Sequence, residues 1–151
     1  LSTPARNLIV ELFNANGDKI VEKTGTNILA YNTSSGKFTG AINMGQVAVG
    51  DYTVKVKSDR YLRKRIPGIV SVPASTQQIT IPETTLIVGD MNNDNIVNIT
   101  DYNVLLSCFG EKSTSASCEG NKRNADLDDN NWVDEVDFNI YVRSLSIQSG
   151  D

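Results

Sequence analysis

The sequence predicts an all-β sandwich in its first half and a small all-α unit, built from two loop–helix repeats, in its second half. Up to residue 85 the chain has ten basic and six acidic residues, whereas the remainder has four basic and twelve acidic residues. Segments rich in β-branched and aromatic residues, bounded by turn residues, fill the first half, and useful helical periodicity appears in the second. We therefore expect two domains, at residues 1–87 and 88–151.

Seven short segments of the first half have the composition of strands. The clearest, residues 51–57, alternates outward lysines with inward Tyr52, Val54 and Val56, which is the period of a strand with one buried face. Short strands separated by frequent turns predict a sandwich. The other predicted strands are residues 7–13, 19–23, 27–31, 36–40, 69–72 and 78–81.

The junction between the halves lacks a Ser/Gly/Pro linker, because residues 86–88 lead directly into Gly89. We expect the two modules to pack against each other rather than move freely. Residues 1–4 have the composition of a linker, so we expect a fragment of a longer protein.

Several classes of function are disfavoured by composition. The chain has no histidine, which removes the commonest general base and transition-metal ligand, so we expect no enzyme. No apolar run has membrane-spanning length, so we expect no membrane insertion. A basic cluster at residues 60–65 raises the alternative of nucleic-acid binding, but the acidic half would repel phosphate. We favour a solvated strand edge or a contact with the acidic module.

Two twelve-residue segments, 90–101 and 126–137, carry side-chain oxygen at the first, third, fifth, ninth and twelfth positions. Calcium takes roughly six to eight hard oxygen ligands, and a loop of this pattern supplies them. The alternative is a pair of solvated Asn/Asp-rich turns, but both loops share one register and each precedes an apolar-periodic segment. We predict two Ca²⁺ ions, with backbone carbonyl ligands from the seventh residues, Ile96 and Trp132. The predicted side-chain ligands are Asp90, Asn92, Asp94, Asn98 and Asp101 in the first loop, and Asp126, Asp128, Asn130, Asp134 and Asp137 in the second.

Other loop positions carry further expectations. Asn95 and Asn131 occupy the sixth position, and Asn is the best non-glycine residue for the left-handed backbone required there. The eighth residues, Val97 and Val133, suit a short β-bridge between the loops. Four of the second loop's side-chain ligands are carboxylates and three of the first loop's are, so we expect tighter binding at the second.

A helix is expected after each loop and none before it, which is half of an EF-hand used twice. Thr100 is the expected N-cap of the first helix, and Gly110 is its expected stop. The predicted apolar stripes are Tyr102, Leu105, Leu106 and Phe109 on the first helix, and Phe138, Tyr141, Val142 and Leu145 on the second.

Residues 89–106 and 125–143 resemble the paired F-hand repeats of dockerin domains, including Asp at the twelfth position, where EF-hands usually have Glu. The preceding β module resembles the X module that adjoins type II dockerins and, more broadly, carboxypeptidase-regulatory and transthyretin-like or Ig-like sandwiches. Residues 34–40, 50–56, 60–62 and 68–72 carry this second resemblance.

The resemblance implies an extracellular protein that binds a cohesin of a scaffolding or cell-surface protein, in cellulosome assembly for polysaccharide degradation or in surface attachment. It also implies a monomer outside the cohesin complex, with the β module as a stabilising neighbour. The alternative is a calcium-stabilised spacer without a cohesin partner. The cohesin-binding residues that the resemblance implies are Ile99, Thr100, Asn103, Leu106 and Ser107 in the first repeat, and Glu135, Val136, Asn139, Val142 and Arg143 in the second.

These two sets of residues differ, because Ile99-Thr100 corresponds to Glu135-Val136 and Ser107 corresponds to Arg143. We therefore expect one dominant binding orientation, whereas dockerins with nearly identical repeats can bind in two. The apolar members favour the type II style.

The chain has two cysteines, Cys108 and Cys118, which flank a polar connection between the repeats. An even count in an extracellular protein favours a disulfide. The alternative is one buried thiol near a helix end and one exposed thiol.

Overall fold

The computed structural model describes residues 4–75, 78–147 and 149–151, which fall into two compact units. Unit 1 consists of Leu1–Ser58 and Lys64–Thr85, and unit 2 consists of Asp59–Arg63 and Leu86–Asp151. The segment Asp59–Arg63, called the 59–63 segment below, thus belongs to unit 2 although unit 1 sequence flanks it on both sides. The expected linker at the start of the chain lies outside the described residues except for Pro4.

Strands dominate unit 1, whereas unit 2 holds both α-helices and one small sheet. Two 3-10 helices also lie in unit 2, at Ala116–Cys118 and Gly120–Ala125. In chain order the strands and helices are β1 (Ala5–Phe13), β2 (Lys19–Asn32), β3 (Lys37–Thr39), β4 (Gly50–Lys57), β5 (Arg60–Tyr61), β6 (Lys64–Arg65), β7 (Val70–Val72), β8 (Val88–Asp90), α1 (Ile99–Leu106) and α2 (Glu135–Ser144).

The centre of unit 1 is the antiparallel pair β1–β4, in which Val10 lies opposite Val56 and Leu12 opposite Val54. These four side chains and Tyr52 are buried, so the alternation predicted for residues 51–57 is confirmed. The sheet runs in the order β3-β2-β1-β4-β6, and β7 pairs with the first residues of β4.

Strand β2 joins two segments that the sequence predicts as separate strands. The break between them falls near Asn27, whose left-handed φ of 52° is accommodated within the strand. Its backbone N–H donates a hydrogen bond to the Asn7 side chain at 2.9 Å, so the irregularity remains tied to β1.

The predicted sandwich of unit 1 is wrong, because its described strands form a single six-stranded sheet rather than two facing sheets. The strand predicted at residues 78–81 is not formed, and no strand is assigned between β7 and β8 in the described residues. Pro73 and Pro82 lie in this stretch, and proline has no N–H to donate to a strand ladder.

The predicted separate all-α domain is also wrong. Helix α1 has 8 residues and α2 has 10, and unit 2 also contains the two-stranded sheet β5–β8. In a chain of 151 residues dominated by strands, two such short helices leave little room for an independent helical domain. Unit 2 is therefore a mixed structure, and its buried core consists of Leu62, Met91, Val97, Leu105, Cys108, Cys118, Ala125, Leu127, Val133 and Tyr141.

Leu62 comes to this core from the 59–63 segment. Its side chain is 2% exposed, and its backbone N–H donates to the Ile87 carbonyl at 2.7 Å. Unit 2 thus depends on a residue that lies more than twenty positions before the rest of its sequence.

We expect Leu62→Ala to destabilise unit 2 by about 2–5 kcal/mol, because the substitution removes buried methyl groups and leaves a cavity. Denaturant unfolding followed by the fluorescence of Trp132, the single tryptophan, measures the effect. The control is Ile69→Ala, at a side chain that is 59% exposed, which should leave the transition unchanged. Equal midpoints for the two variants would show that the 59–63 segment is not part of the core.

Candidate metal site and docking face

The first loop (residues 90–101) and the second loop (residues 126–137) have the same internal hydrogen bonds. In each loop, three side-chain oxygens accept hydrogen bonds from backbone N–H groups further along the loop. The side chain at position 1 accepts from the N–H of position 6, the side chain at position 3 from the N–H of position 5, and the side chain at position 5 from the N–H of position 7. These bonds curl each loop back on itself. The pairs are Asp90 with Asn95, Asn92 with Asp94 and Asp94 with Ile96 in the first loop, at 2.9–3.0 Å, and Asp126 with Asn131, Asp128 with Asn130 and Asn130 with Trp132 in the second, at 2.7–3.0 Å.

The left-handed backbone predicted at the sixth position is confirmed, with φ of 69° at Asn95 and 72° at Asn131. A second left-handed position was missed. The fourth residues, Asn93 and Asp129, have φ of 62° and 63°. Asn and Asp tolerate this conformation, so their recurrence at position 4 was the available sequence signal.

The twelfth carboxylates, Asp101 and Asp137, are completely buried. Asp137 accepts from the backbone N–H groups of Leu127 and Asp128 at the start of its loop, at 2.6 and 3.2 Å, and from that of Asp134 at 2.8 Å. Asp101 accepts from Asn92 at 3.2 Å and from Asn98 at 2.9 Å. Each carboxylate therefore ties the start of its loop to the helix that follows.

The ninth residues cap the helices. Asn98 is the N-cap of α1 and Asp134 is the N-cap of α2, each in a capping box with the twelfth residue. The prediction that Thr100 caps α1 is wrong, because its backbone N–H instead donates to Asn98 at 2.7 Å. Asn98, predicted as a metal ligand, is therefore also the N-cap of α1.

The eighth residues do not bridge the loops as predicted. Val97 and Val133 are buried, and the isolated bridges of the described residues lie one position earlier, joining Ile96 to Ser149 and Trp132 to Lys112. The side chain at position 8 alternates inward from position 7 and joins the core, which leaves the seventh residue on the accessible edge.

Only the stretch before the second loop differs from the expectation that no helix precedes either loop. The second loop follows the 3-10 helix Gly120–Ala125, whereas the first follows strand β8. Helix α1 ends at Leu106 with Ser107 as its C-cap, so it stops before the expected Gly110.

Three carboxylates of the second loop, Asp126, Asp128 and Asp137, offer oxygens that all lie within 4.8 Å of one another, a group that could hold a metal ion. Asp126 Oδ1 is buried without a hydrogen-bond partner, as expected of an oxygen directed at a cation. Among the described residues no comparable group of three carboxylates forms in the first loop. The structure therefore brings predicted ligands together most clearly in the second loop.

Asp126 has two polar neighbours that the sequence analysis did not assign to the loop. Ser113 Oγ donates to its Oδ2 at 2.9 Å, and the Arg60 guanidinium donates to its backbone carbonyl. Burial raises the pKa of Asp126, and the Ser113 hydrogen bond and the Arg60 charge partly offset that rise. Arg60 also lies 3.4 Å from Asp129 Oδ1, so this member of the basic cluster contacts the acidic sequence.

Cys108 and Cys118 are joined by a disulfide, with their Cα atoms 5.3 Å apart, and both are fully buried. The bond links the turn after α1 to the 3-10 helix Ala116–Cys118. Closing so short a loop contributes about 2–3 kcal/mol by restricting the unfolded chain.

The outer surface of the two helices carries all ten predicted cohesin-binding residues, and all are exposed. Four of them are large and apolar: Ile99, Leu106, Val136 and Val142. A shallow groove between the helices is lined by Ile99, Tyr102, Phe138, Tyr141, Val142 and Leu145. We call the four apolar residues, together with this groove, the docking face.

The predicted apolar stripes divide between core and surface. Leu105 and Tyr141 are buried, and Tyr102 and Phe138 are half-buried, with ring centroids 6.3 Å apart. The remaining members, Leu106, Phe109, Val142 and Leu145, are exposed. Part of the apolar surface of each helix is therefore not covered by the core of unit 2.

Unit 2 is thus a paired loop–helix module with an acidic group able to hold a metal ion. Residues 88–146 match the family model described as the dockerin type I domain. The resemblance noted from the sequence is confirmed. The matching model is of type I, whereas the sequence features favoured type II.

Two solved structures share the fold of the chain. One is a C-terminal interface mutant of a type II cohesin–X–dockerin complex from Acetivibrio cellulolyticus, at 24% identity and a TM-score of 0.55. The other is an N-terminal interface mutant of such a complex from the same organism, at 23% identity and a TM-score of 0.50. Both matches cover 92% of this chain and 80% of the other. Both matches are consistent with an X module followed by a dockerin.

No curated protein matches the chain significantly. In the part of the chain that the structure describes, the helices are all too short or too polar to cross a membrane.

The buried twelfth carboxylates predict an unusual pH dependence for the metal-free protein. Burial raises the pKa of Asp137 above its ordinary 3.8, although backbone hydrogen bonds oppose the shift. The folded state then holds the proton more tightly than the unfolded state, so this contribution to stability is complete below 3.8 and is lost as the pH rises through the raised pKa. In chelator, the melting temperature should therefore rise as neutral solution is acidified, and Asp137→Asn should reduce that rise. Identical melting profiles for the two proteins would contradict this.

Proposed function

We propose that unit 2 is a calcium-dependent docking module that binds a cohesin. In this role the chain joins its parent protein to a scaffolding or cell-surface protein outside the cell, as in cellulosome assembly. The dockerin match of residues 88–146 and the cohesin complexes among the structural neighbours support the class of partner.

Two calcium ions are proposed, one in each loop, held by the side chains at positions 1, 3, 5, 9 and 12 and by the carbonyls of Ile96 and Trp132. Bound calcium neutralises the clustered carboxylates and so stabilises the curled loops. The four carboxylates predicted as ligands of the second loop, and the close group that three of them form, support tighter binding there. The buried Asp126 Oδ1 supports an ion on this side of the loop.

The observation that carries the docking role is the exposed apolar surface of the helices. Ile99 is 65% exposed and Val136 is 48% exposed, and both precede a buried twelfth ligand by one or two positions. Removal of such side chains from water by a partner stabilises the complex. A spacer, the alternative function, has no need of them.

A single dominant orientation on the cohesin is part of the proposal. The two helix faces are not equivalent, because Ser107 and Thr100 of the first repeat correspond to Arg143 and Val136 of the second. Rotation that exchanges the repeats would therefore place a charge where the partner meets a hydroxyl, at a cost in free energy.

Unit 1 is proposed to act as a stabilising neighbour rather than as a catalyst or a sugar-binding surface. Its chain supplies the 59–63 segment to unit 2, so the two units share three covalent crossings. Its larger aromatic residues do not form a continuous exposed platform among the described residues, since Tyr52 is buried and Tyr31 packs on Phe38 at 5.2 Å.

Removing calcium should lower the melting temperature of unit 2. Without the ion the carboxylates of each loop repel one another, and the loops lose part of their order. Circular dichroism with and without chelator measures the effect, and added calcium should restore the signal. Asp137→Ala should reduce the chelator effect, because it removes a ligand of the second loop alone, whereas an unaltered melt of the native protein in chelator would remove the basis for bound calcium.

Ile99→Asp should weaken binding to a type II cohesin by about tenfold or more, because it places a charge in a desolvated contact. Calorimetric titration against cohesin measures the affinity. Ile69→Asp, at a similarly exposed residue of unit 1, is the control and should bind normally. If the proposed orientation is right, Val142→Asp differs in effect from Leu106→Asp, its counterpart in the first repeat. Equal losses for the two would favour exchangeable repeats, and normal binding by both would refute the docking face.

A further inference from the structure

Arg60 contacts both loops, and it does so at the same two positions in each. In the first loop its backbone pairs with Asp90 at position 1 in the β5–β8 sheet, and its N–H donates to Asn93 at position 4, at 2.9 Å. In the second loop its guanidinium donates to the carbonyl of Asp126 at position 1 and lies 3.4 Å from the carboxylate of Asp129 at position 4.

The backbone of Arg60 is held in an uncommon conformation. Its φ is 65°, in the left-handed region that side chains larger than Asn or Asp rarely adopt. Such strain persists only where surrounding contacts impose it. The contacts that hold Arg60 in this conformation are those of its backbone with the first loop and of its side chain with the second loop.

The two sets of contacts can be separated by substitution. The first loop is held by the backbone N–H groups of Arg60 and Arg63. The N–H of Arg63 donates to the side chain of Asn95, the sixth residue of the loop, over 2.6 Å. The contact with the second loop is made by the Arg60 side chain. A shorter side chain that tolerates a left-handed backbone would keep the first set and remove the second.

We propose that Arg60 is a positioning residue that couples calcium binding at the two loops. Calcium in the first loop orders positions 1 to 6 and thereby fixes the 59–63 segment against them. The fixed segment then holds the guanidinium on the second loop, at the carbonyl of its first residue and at its left-handed fourth residue. Because coupling is reciprocal, calcium in the second loop favours the ordered first loop by the same factor.

The charge of Arg60 does not oppose this role. Its carboxylate partner, Asp129, occupies position 4, which lies outside the proposed ligand set. The positive charge is therefore offset by a carboxylate that the ion does not use, while the guanidinium fixes the backbone on which the ligands are mounted.

The single tryptophan makes the second loop observable by itself, because Trp132 is its seventh residue. Calcium titration followed by Trp132 fluorescence reports the second loop, and the proposal, which rests on the proposed calcium role, concerns that affinity. We expect Arg60→Asn to raise the half-saturating calcium concentration about tenfold, since a hydrogen bond from a charged donor is lost. Arg63→Asn is the matched control, with the same change of charge in the same segment, and should shift it by less than about twofold.

Coupling itself is tested by a double-mutant cycle. Asp94→Ala impairs the first loop and should weaken the affinity reported by Trp132 in the native background. In the Arg60→Asn background the same substitution should have no further effect on Trp132. An equal effect in both backgrounds would overturn the proposal.

Arg60→Lys separates positioning from charge, because lysine keeps the charge but replaces the rigid guanidinium, whose Nη1 makes both contacts, with a flexible stem and a more strongly hydrated ammonium. We expect it to resemble Arg60→Asn, and native affinity in Arg60→Lys would overturn the positioning role. It also carries the test if circular dichroism shows that Arg60→Asn is unfolded in saturating calcium. A native protein without any calcium response, by fluorescence or calorimetry, overturns the calcium role together with the coupling. A native response that Arg60→Asn leaves unchanged overturns the coupling alone.

Discussion

The hydrogen bonds to two buried carboxylates, Asp101 and Asp137, organise unit 2. Each carboxylate accepts N–H groups from the start of its loop and from the N-cap of the following helix. A charged acceptor buried in this way is costly unless such donors surround it. The same bonds therefore close the loop, begin the helix and determine which helix residues face outward.

How much of this follows from sequence depends on the range of the interaction. The loops follow from residues within twelve positions of one another, which is why their left-handed sixth positions were predicted correctly. The helices after them follow as well, although the cap of α1 is Asn98 rather than Thr100, because an Asn at the ninth position fits the patterns of a metal ligand and of an N-cap equally well. Local patterns of this kind are strong in Asn- and Asp-rich turns.

The arrangement of the strands follows from sequence much less well. The segments that became β1, β3, β4 and β7 were recognised, but whether they form one sheet or two depends on pairing between distant residues. Strands β5, β6 and β8 have only two or three residues and carry no periodic signal. The role of Arg60 was hidden for the same reason, since its partners lie more than thirty and more than sixty positions away.

The passage of the 59–63 segment through unit 2 has a consequence for how this architecture can be inherited. A gene fragment that encodes residues 88–151 alone would lack Leu62, a member of the core, and the contacts of Arg60. Recombination at the apparent boundary would separate residues that fold together. Exchange of the two modules together, with a break-point before β1 rather than before β8, keeps those residues on one fragment.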